Sequence, residues 1–320
     1  YGFSAAHDDT IPGLTKLAHT MKQDGAKAIL QLVHSGRQAL TALRDYGVVY
    51  GPSELQLNWP MKHRVIGMSE RKIYDVIKAY GEATRRAIKA GFDGVEITGA
   101  NRYLIQAFFS VTSNQRTDQW GPQNLDNRSR FGLAVVDEVQ RIIDTEAPDD
   151  FIFGYRISPE ESAGITVGYT IEDMLYYIDQ LLDHYHIDYL ATAMWGKRSY
   201  KEMVRFGKYT GDVMNDIIHR HVDGRAVVIV TGGVNSAEKA LEALQYADMI
   251  AAATPFVADP EFVQKIKEGR ENEINLKVSS QDFDELNIPQ GAFKDISYLF
   301  DIGKSLPEES RSELHNKVRG

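Results

Sequence analysis

Short apolar runs alternate along this chain with longer segments whose apolar residues recur at helical spacing. The runs predict strands buried on both faces, which lose the alternation of half-exposed strands. They cover residues 26–33, 92–98, 151–157, 187–193, 226–231 and 247–252. Strands that alternate with helices predict a parallel sheet covered on both sides.

Residue types at the predicted helix ends support this pattern. Ser69 can cap a long helix, and Thr170 with Asp173 forms a capping pair at the start of another. A terminal helix is predicted to begin near Asp259–Pro260, with aspartate as its cap and proline at its first helical position.

Two architectures share this order of elements, a closed TIM (βα)8 barrel and an open doubly wound sheet. In an open sheet few strands contact the ligand, whereas in a barrel the ends of many strands carry functional side chains. Distinctive polar residues or glycines end four of the strands here, at residues 31–34, 98–103, 156–158 and 231–233. We therefore predict the barrel.

The number of strands is too small for this fold, because a TIM barrel has eight and the pattern contains six. The chain also starts at Tyr1 without a strand before its first helix. We expect that the first two βα units are absent from this segment. Residues 1–270 are predicted to form the N-terminally incomplete barrel domain, and 271–320 a polar C-terminal extension that packs on it.

Composition excludes several classes of function. The 320 residues carry a net charge of −9 without a basic stripe, which argues against nucleic acid as a partner. The absence of cysteine excludes disulfides and cysteine-ligated clusters, and the histidines form no metal-binding motif, so no metal site is predicted. No apolar run is long enough to span a membrane. We expect a cytoplasmic protein that acts on a small molecule.

Two polar side chains are predicted to point into the barrel mouth. A buried Arg156 needs either an electron-rich ligand or a protein carboxylate, and both partners are about equally expected. The Gln31 amide can donate and accept at once, which suits the edge of a heterocycle, although it can also bond backbone alone. Glu96 is interpreted as a paired structural charge, and His34 as a residue that shapes its turn.

Other candidates donate hydrogen bonds or protons. The amides of Gly232–Gly233 can approach a phosphate, or these glycines can simply form a tight turn. The phenol of Tyr103 can donate a proton, or its ring can form an aromatic wall. Thr98 and Asn101 can bind a developing oxyanion. The Trp59 side chain is interpreted as one that packs within a loop and has no catalytic role.

Together these residues resemble the Old Yellow Enzyme family of FMN-dependent ene-reductases and NADH:flavin oxidoreductases. The resemblance rests on QLVHSGR at 31–37 and on GVEITGANRYLI at 94–105 with the N-x-R and N-R-x-R-F motifs that follow, and it covers most of the chain. It implies an eight-stranded TIM barrel with FMN across the mouth at the carboxyl ends of its strands. In the family pattern, the first two units precede Tyr1.

The resemblance also implies a reaction. NADH or NADPH would reduce FMN, and flavin N5 would pass hydride to the β-carbon of an activated alkene of the α,β-unsaturated carbonyl type. The implied roles are flavin binding by Gln31, Arg156, Gly232 and Gly233, binding of the substrate oxygen by Thr98 and Asn101, and proton donation by Tyr103. Family members are often dimers or tetramers, so the resemblance leaves open whether this chain forms a homo-oligomer.

Two positions depart from the family pattern. Thr98 replaces a histidine that usually binds the substrate carbonyl, and Ala253–Thr254 replaces a Gly-Arg pair that contacts the FMN phosphate. These departures motivate an alternative, a degenerate barrel that binds flavin or another ligand and has little ene-reductase activity. A third hypothesis is a barrel enzyme whose Gly232–Gly233 turn holds a phosphorylated metabolite.

Overall fold

Residues 3–58, 62–292, 294–297 and 304–319 are described by a computed structural model, and Tyr1 and Trp59 lie outside them. The chain divides into two units. The first contains the chain up to Ala191, Val204–Thr210 and Gly224–Ala226, and the second contains the remaining segments. The candidate residues of the flavin ring and the substrate therefore belong to the first unit.

Strands alternating with helices build the first unit. Its strands are β1 (Ile29–Leu32), β2 (Val49–Gly51), β3 (Leu55–Leu57), β4 (His63–Gly67), β5 (Gly94–Gly99), β6 (Ile152–Ile157), β7 (Glu161–Ala163), β8 (Thr166–Tyr169) and β9 (Tyr189–Thr192), whose last residue belongs to the second unit. Its helices are α1 (Ile11–Met21), α2 (Leu40–Tyr46), α3 (Glu70–Lys89), α4 (Leu104–Phe109), α5 (Leu125–Glu146) and α6 (Ile171–His184).

A parallel sheet forms the centre of this unit, with β5 between β1 and β6. The register pairs Gln31 with Glu96 and Glu96 with Gly154, and it pairs Thr98 with Arg156. Because the strands are parallel, their carboxyl ends lie at the same edge of the sheet. The predicted parallel sheet is confirmed, whereas its closure into a TIM barrel stays a prediction.

Short sheets in the connections were not predicted. The strands β2, β4 and β3 form a small sheet between β1 and α3, and β7 pairs with β8 as an antiparallel hairpin after β6. Strands of three to five residues are too short to show a clear alternation of apolar and polar positions.

The capping residues predicted for two long helices are confirmed. The Ser69 side chain accepts a hydrogen bond from the Lys72 amide at 3.3 Å, which satisfies one free N–H at the start of α3. Thr170 and Asp173 form a reciprocal capping box at the start of α6. Local residue chemistry thus fixes both helix starts.

The second unit contains shorter elements. They are α7 (Met214–Val222), β10 (Val227–Thr231), α8 (Ala237–Ala243), β11 (Met249–Ala251), α9 (Thr254–Ala258), α10 (Phe262–Lys267) and α11 (Glu308–Arg319). The strands β10 and β11 are parallel, with Thr231 opposite Ala251. A Gly-Gly turn follows β10 and the Ala253–Thr254 pair follows β11.

The helix predicted near Asp259–Pro260 is α10, which begins two residues later, at Phe262, after α9 ends at Ala258. One oxygen of the Asp259 carboxylate accepts from the Glu261 amide at 3.2 Å, and the other pairs with Lys265 at 2.7 Å. An aspartate that accepts from the amide two residues ahead makes the bond found in helix caps and in tight turns.

Residues 271–320 belong to the same unit as β10 and β11. This segment contributes a helix and buried apolar residues, which its polar composition does not suggest. The segment ends in α11, and its apolar residues form a buried cluster with α9. The cluster contains Ala258, Val278, Phe283, Ile288, Leu306 and Leu314. The spacing of these residues has no helical or strand period, which is why the sequence pattern did not predict a core here.

The close approach of β5 to β6 yields a stability prediction. A Cβ atom at Gly94 would overlap the Ile152 carbonyl oxygen and lie 2.8 Å from Ile152 Cβ. Gly94→Ala should lower the free energy of unfolding by about 1–3 kcal/mol, measured by urea denaturation. Gly13→Ala is the control, because no atom lies within 4 Å of its new methyl group. Equal stability of the two variants would contradict this packing.

Candidate active site

The carboxyl ends of β1, β5 and β6 bring Gln31, Glu96 and Arg156 into one hydrogen-bonded group. Glu96 is 4% exposed. Its Oε1 accepts from Gln31 Nε2 and from Arg156 Nε, the latter at 2.7 Å, and its Oε2 accepts from Arg156 Nη2 at 3.2 Å. The interpretation of Glu96 as a paired charge is confirmed. Of the two partners expected for Arg156, the protein carboxylate is therefore present.

Tyr189 lies beside this group, and the sequence pattern did not predict it. A Cβ atom at Gly154 would overlap the Tyr189 ring, so the glycine leaves the space that this ring fills. Burial, followed by the nearby Glu96 carboxylate, raises the pKa of the Tyr189 hydroxyl. The one signal in the sequence was a glycine at an inward position of β6, where a larger side chain is usual.

Thr98 lies two residues beyond Glu96, directly opposite Arg156 in the register. Its side chain is 1% exposed, and its hydroxyl oxygen forms no hydrogen bond within the described chain. A buried hydroxyl without a partner costs free energy and calls for an explanation. Because this oxygen has almost no accessible surface, a ligand would reach Oγ1 only after rotation of the Thr98 side chain.

The turn after β5 has a rare backbone conformation at two successive non-glycine residues. Asn101 and Arg102 both have a φ of 59°. The turn is held by the Ser158 hydroxyl, which accepts from the Asn101 amide at 3.2 Å, and by Gln38 Nε2, which donates to the Asn101 carbonyl oxygen at 2.8 Å. Left-handed backbone at such residues is concentrated at functional sites.

Tyr103 follows this turn at the residue that precedes α4. Its amide donates to the Ala100 carbonyl oxygen at 3.1 Å, and its own carbonyl accepts from the Ala107 amide at 2.8 Å. The backbone at Tyr103 is therefore fixed from both sides, while its side chain is half-buried. The first unit thus places Thr98, Asn101 and Tyr103 within six consecutive residues after the inner part of β5.

His34 shapes its turn, as the sequence suggests. Its Nδ1 accepts from the Gly36 amide at 3.0 Å, and its own amide donates to the Tyr80 hydroxyl at 3.0 Å. Burial lowers the pKa of the His34 imidazole, which favours the neutral ring that can accept this bond. Its carbonyl oxygen accepts from the Leu104 amide at 3.0 Å and so ties the end of β1 to α4.

In the second unit, Gly232 and Gly233 have φ values of 102° and 83°, a backbone that other residues rarely adopt. A Cβ atom at Gly232 would overlap Ser199 Oγ, and one at Gly233 would overlap the Lys197 carbonyl oxygen. The glycines thus form a tight turn against the segment after β9. Their predicted contact with a phosphate stays a prediction.

A group of charged side chains interacts with Lys239, shortly after this Gly-Gly turn. Lys239 Nζ donates to Asn235 Oδ1 at 2.6 Å. Burial, followed by the positive charge of Arg198, lowers the pKa of Lys239, whereas the nearby carboxylates of Glu238 and Glu242 act in the opposite direction. The group therefore has mixed charge. Thr254, where the family pattern has arginine, is buried at the first position of α9 beside Ala253.

Neither a metal cluster nor a membrane span is found in the part of the chain that the structure describes. No three histidine or carboxylate side chains there are grouped to hold a metal ion. No described helix combines the length and the apolar character needed to cross a bilayer.

Comparison with known proteins identifies the family of this chain. The sequence pattern of the NADH:flavin oxidoreductase / NADH oxidase family, whose flavin is FMN, matches residues 4–273. An uncharacterized oxidoreductase of Streptococcus pyogenes serotype M5 (strain Manfredo) is 50% identical over 313 residues, which cover 98% of this chain and 78% of that protein. A probable NADH-dependent flavin oxidoreductase of Bacillus subtilis (strain 168) is 38% identical over 291 residues, 90% of this chain and 76% of that protein.

A solved structure of morphinone reductase in complex with tetrahydroNAD has the same fold. The TM-score is 0.68 at 24% identity, with 86% of this chain and 73% of that chain covered. The chain thus spans about three-quarters of each of these three proteins. The resemblance inferred from the sequence is confirmed: the chain belongs to the Old Yellow Enzyme family of NADH:flavin oxidoreductases, which are NADH-dependent enzymes that use FMN.

Proposed function

We propose that this protein uses FMN and NADH or NADPH to reduce an activated alkene of the α,β-unsaturated carbonyl type, within a closed TIM barrel. When bound, FMN supplies hydride transfer between the nicotinamide and the alkene. The observation that carries the proposal is the group at the carboxyl ends of β1, β5 and β6. Gln31 and Arg156 both bind Glu96 there, and the buried hydroxyl of Thr98 lies on the residue paired with Arg156 in the register.

The donors and acceptors of the first unit fit a flavin ring. Gln31 uses an N–H for Glu96, which leaves its amide oxygen for a donor such as a flavin ring N–H. Arg156 uses Nε and Nη2 for Glu96, and its guanidinium carries the charge that would stabilise a reduced, anionic flavin. In the second unit, Gly232 and Gly233 would hold the phosphate through their backbone amides.

The substrate end of the site is formed by the turn after β5. The Thr98 hydroxyl and the Asn101 side chain would bind the carbonyl oxygen and stabilise the negative charge that develops there. Tyr103 would give its phenolic proton to the α-carbon and recover it from water. The rigid backbone on both sides of Tyr103 would keep this hydroxyl in place during the reaction.

Restoring the family arginine should strengthen binding of FMN. A guanidinium at position 254 would add a charge-assisted contact to the phosphate, worth about 1.5–3 kcal/mol. Thr254→Arg should therefore lower the dissociation constant about 10–100-fold, measured by quenching of FMN fluorescence on titration of the apoprotein. Thr254→Met is the control for side-chain length without charge. Unchanged affinity in Thr254→Arg would show that other residues of the chain already satisfy the phosphate.

A second candidate function is transfer of reducing equivalents to another electron acceptor, with little alkene reduction. It is favoured by Thr98, because a hydroxyl cannot carry the positive charge that a histidine can offer to a carbonyl oxygen. The family itself includes NADH oxidases. The same family assignment favours a flavin phosphate over the phosphate of a metabolite at Gly232–Gly233.

Anaerobic assays separate these functions. The protein reconstituted with FMN is mixed with NADH or NADPH, and 2-cyclohexenone is added in the absence of oxygen. We expect oxidation of the nicotinamide together with formation of cyclohexanone. Oxidation that requires dioxygen or an artificial acceptor, without saturated product from any of several enones, would support the second function instead.

The small-molecule substrate, an assembly of identical subunits and a cytoplasmic location stay predictions. Two of them can be tested on the purified protein alone, by substrate screening and by light scattering coupled to size-exclusion chromatography.

A further inference from the structure

A single carboxylate holds both side chains that are assigned to the flavin ring. Glu96 accepts hydrogen bonds from the Gln31 amide and from two nitrogens of Arg156, and the Tyr189 hydroxyl lies near the same carboxylate. These contacts all come from donors, and Arg156 can only donate, which is the pattern expected around an ionised carboxylate. Glu96 is buried beneath the carboxyl-terminal edge of the sheet. It therefore contacts Gln31 and Arg156, the two side chains that would contact a ligand bound at this edge.

The first consequence concerns the orientation of Gln31. Because an ionised carboxylate only accepts, the amide nitrogen of Gln31 must face Glu96 and its oxygen must face away. A side-chain amide can otherwise rotate by half a turn with little change in shape. Glu96 therefore selects the orientation in which the Gln31 oxygen is offered to a ligand as an acceptor.

The second consequence concerns the charge of Arg156. Two of its nitrogens are bound to Glu96, at 2.7 Å and 3.2 Å, and the carboxylate is only 5% exposed while the guanidinium is 22% exposed. Screening by water is weak for so buried a carboxylate, so it offsets much of the field of the arginine. A reduced, anionic flavin beside Arg156 would consequently gain less stabilisation than a free guanidinium could provide.

We propose that Glu96 is a positioning residue of the flavin site, which fixes the amide of Gln31 and lowers the midpoint potential of bound FMN by offsetting the charge of Arg156. The inference rests on the proposed binding of FMN beside Gln31 and Arg156. Glu96, which lies beneath the site, would thus control how easily the flavin accepts electrons from the nicotinamide.

The direct test is the potential of FMN bound to Glu96→Gln, measured by equilibration with a reference dye during anaerobic reduction. We expect the equilibrium to shift about tenfold toward reduced flavin, which is about 30 mV for a two-electron couple. Glu138→Gln is the matched control, because it removes the same charge from α5, where Glu138 pairs with Arg141 at 2.8 Å. An unchanged or lower potential in Glu96→Gln, or an equal rise in Glu138→Gln, would overturn the proposal.

A second variant covers the case in which Glu96→Gln does not fold. Tyr189→Phe keeps the carboxylate but removes the polar hydroxyl near it, so Glu96 should offset Arg156 more strongly. The midpoint potential should then fall, which is the opposite sign to the change in Glu96→Gln. A potential that stays constant or rises in Tyr189→Phe counts against the proposal.

Crystal structures without flavin distinguish failure of the proposed function from failure of the positioning role of Glu96. If the wild-type protein cannot be loaded with FMN, the proposed function fails, and the positioning of Gln31 and Arg156 is then examined in the apoproteins. Both side chains should hold their places in the wild type and move in Glu96→Gln. Side chains that stay in place in the variant would show that Glu96 does not position them.

Discussion

Replacing Tyr103 by phenylalanine should slow alkene reduction about 10²–10⁴-fold, the usual contribution of a positioned general acid. The variant keeps the aromatic ring next to α4 and loses only the hydroxyl that would supply the proton. Reduction of FMN by NADH does not need that proton, so its rate should be unchanged. Both rates are measured separately by anaerobic stopped-flow absorbance.

This pair of measurements decides between the two interpretations of Tyr103. If Tyr103 forms only an aromatic wall, phenylalanine should support alkene reduction at nearly the wild-type rate. Tyr46→Phe is the control, because Tyr46 is an exposed residue at the end of α2. A loss of NADH-dependent flavin reduction in Tyr103→Phe would instead indicate that the ring orients the nicotinamide.

Thr98→His should raise the turnover of simple enones about 10²–10³-fold, since removal of one oxyanion donor typically costs this factor. The imidazole would restore a longer donor that can also carry charge at the carbonyl oxygen. The existing hydroxyl of Thr98 is buried and has no hydrogen-bond partner in the described chain, so its replacement breaks no internal bond.

The control for the size of the new side chain is Thr98→Leu, which should reduce enone turnover below the wild-type level. If Thr98→His binds FMN normally and leaves enone turnover unchanged, the ene-reductase function is contradicted. The protein would then be better described by the second function, transfer of electrons to another acceptor.

The main elements of the fold follow from local patterns that the sequence contains. The strand β5 is buried along its whole length and lies in a mostly apolar segment, and the caps at Ser69 and Thr170 act through their immediate neighbours. The helix α10 begins two residues after Pro260, although Asp259 and Pro260 are residue types expected at a helix start. The Asp259 carboxylate binds Lys265 and the Asn275 amide in addition to the Glu261 amide, and these further contacts are not predictable from residue types alone.

The sequence predicted which residues belong to the site but not which hydrogen bonds they form with one another. Strand alternation placed Gln31, Glu96 and Arg156 on the inward face, yet it does not specify the register between strands. That register decides whether Arg156 reaches Glu96 or a ligand. Tyr189 escaped prediction for a related reason, because it lies at the start of β9 and fills the space above Gly154 on another strand.

The use of FMN to oxidise NADH can be tested by the absorbance spectrum of the freshly purified protein, followed by anaerobic addition of NADH. We expect flavin bands in the visible region, either as isolated or after reconstitution with FMN, and their bleaching by NADH. A colourless protein that FMN cannot reconstitute, or a bound flavin that neither NADH nor NADPH reduces, would contradict it.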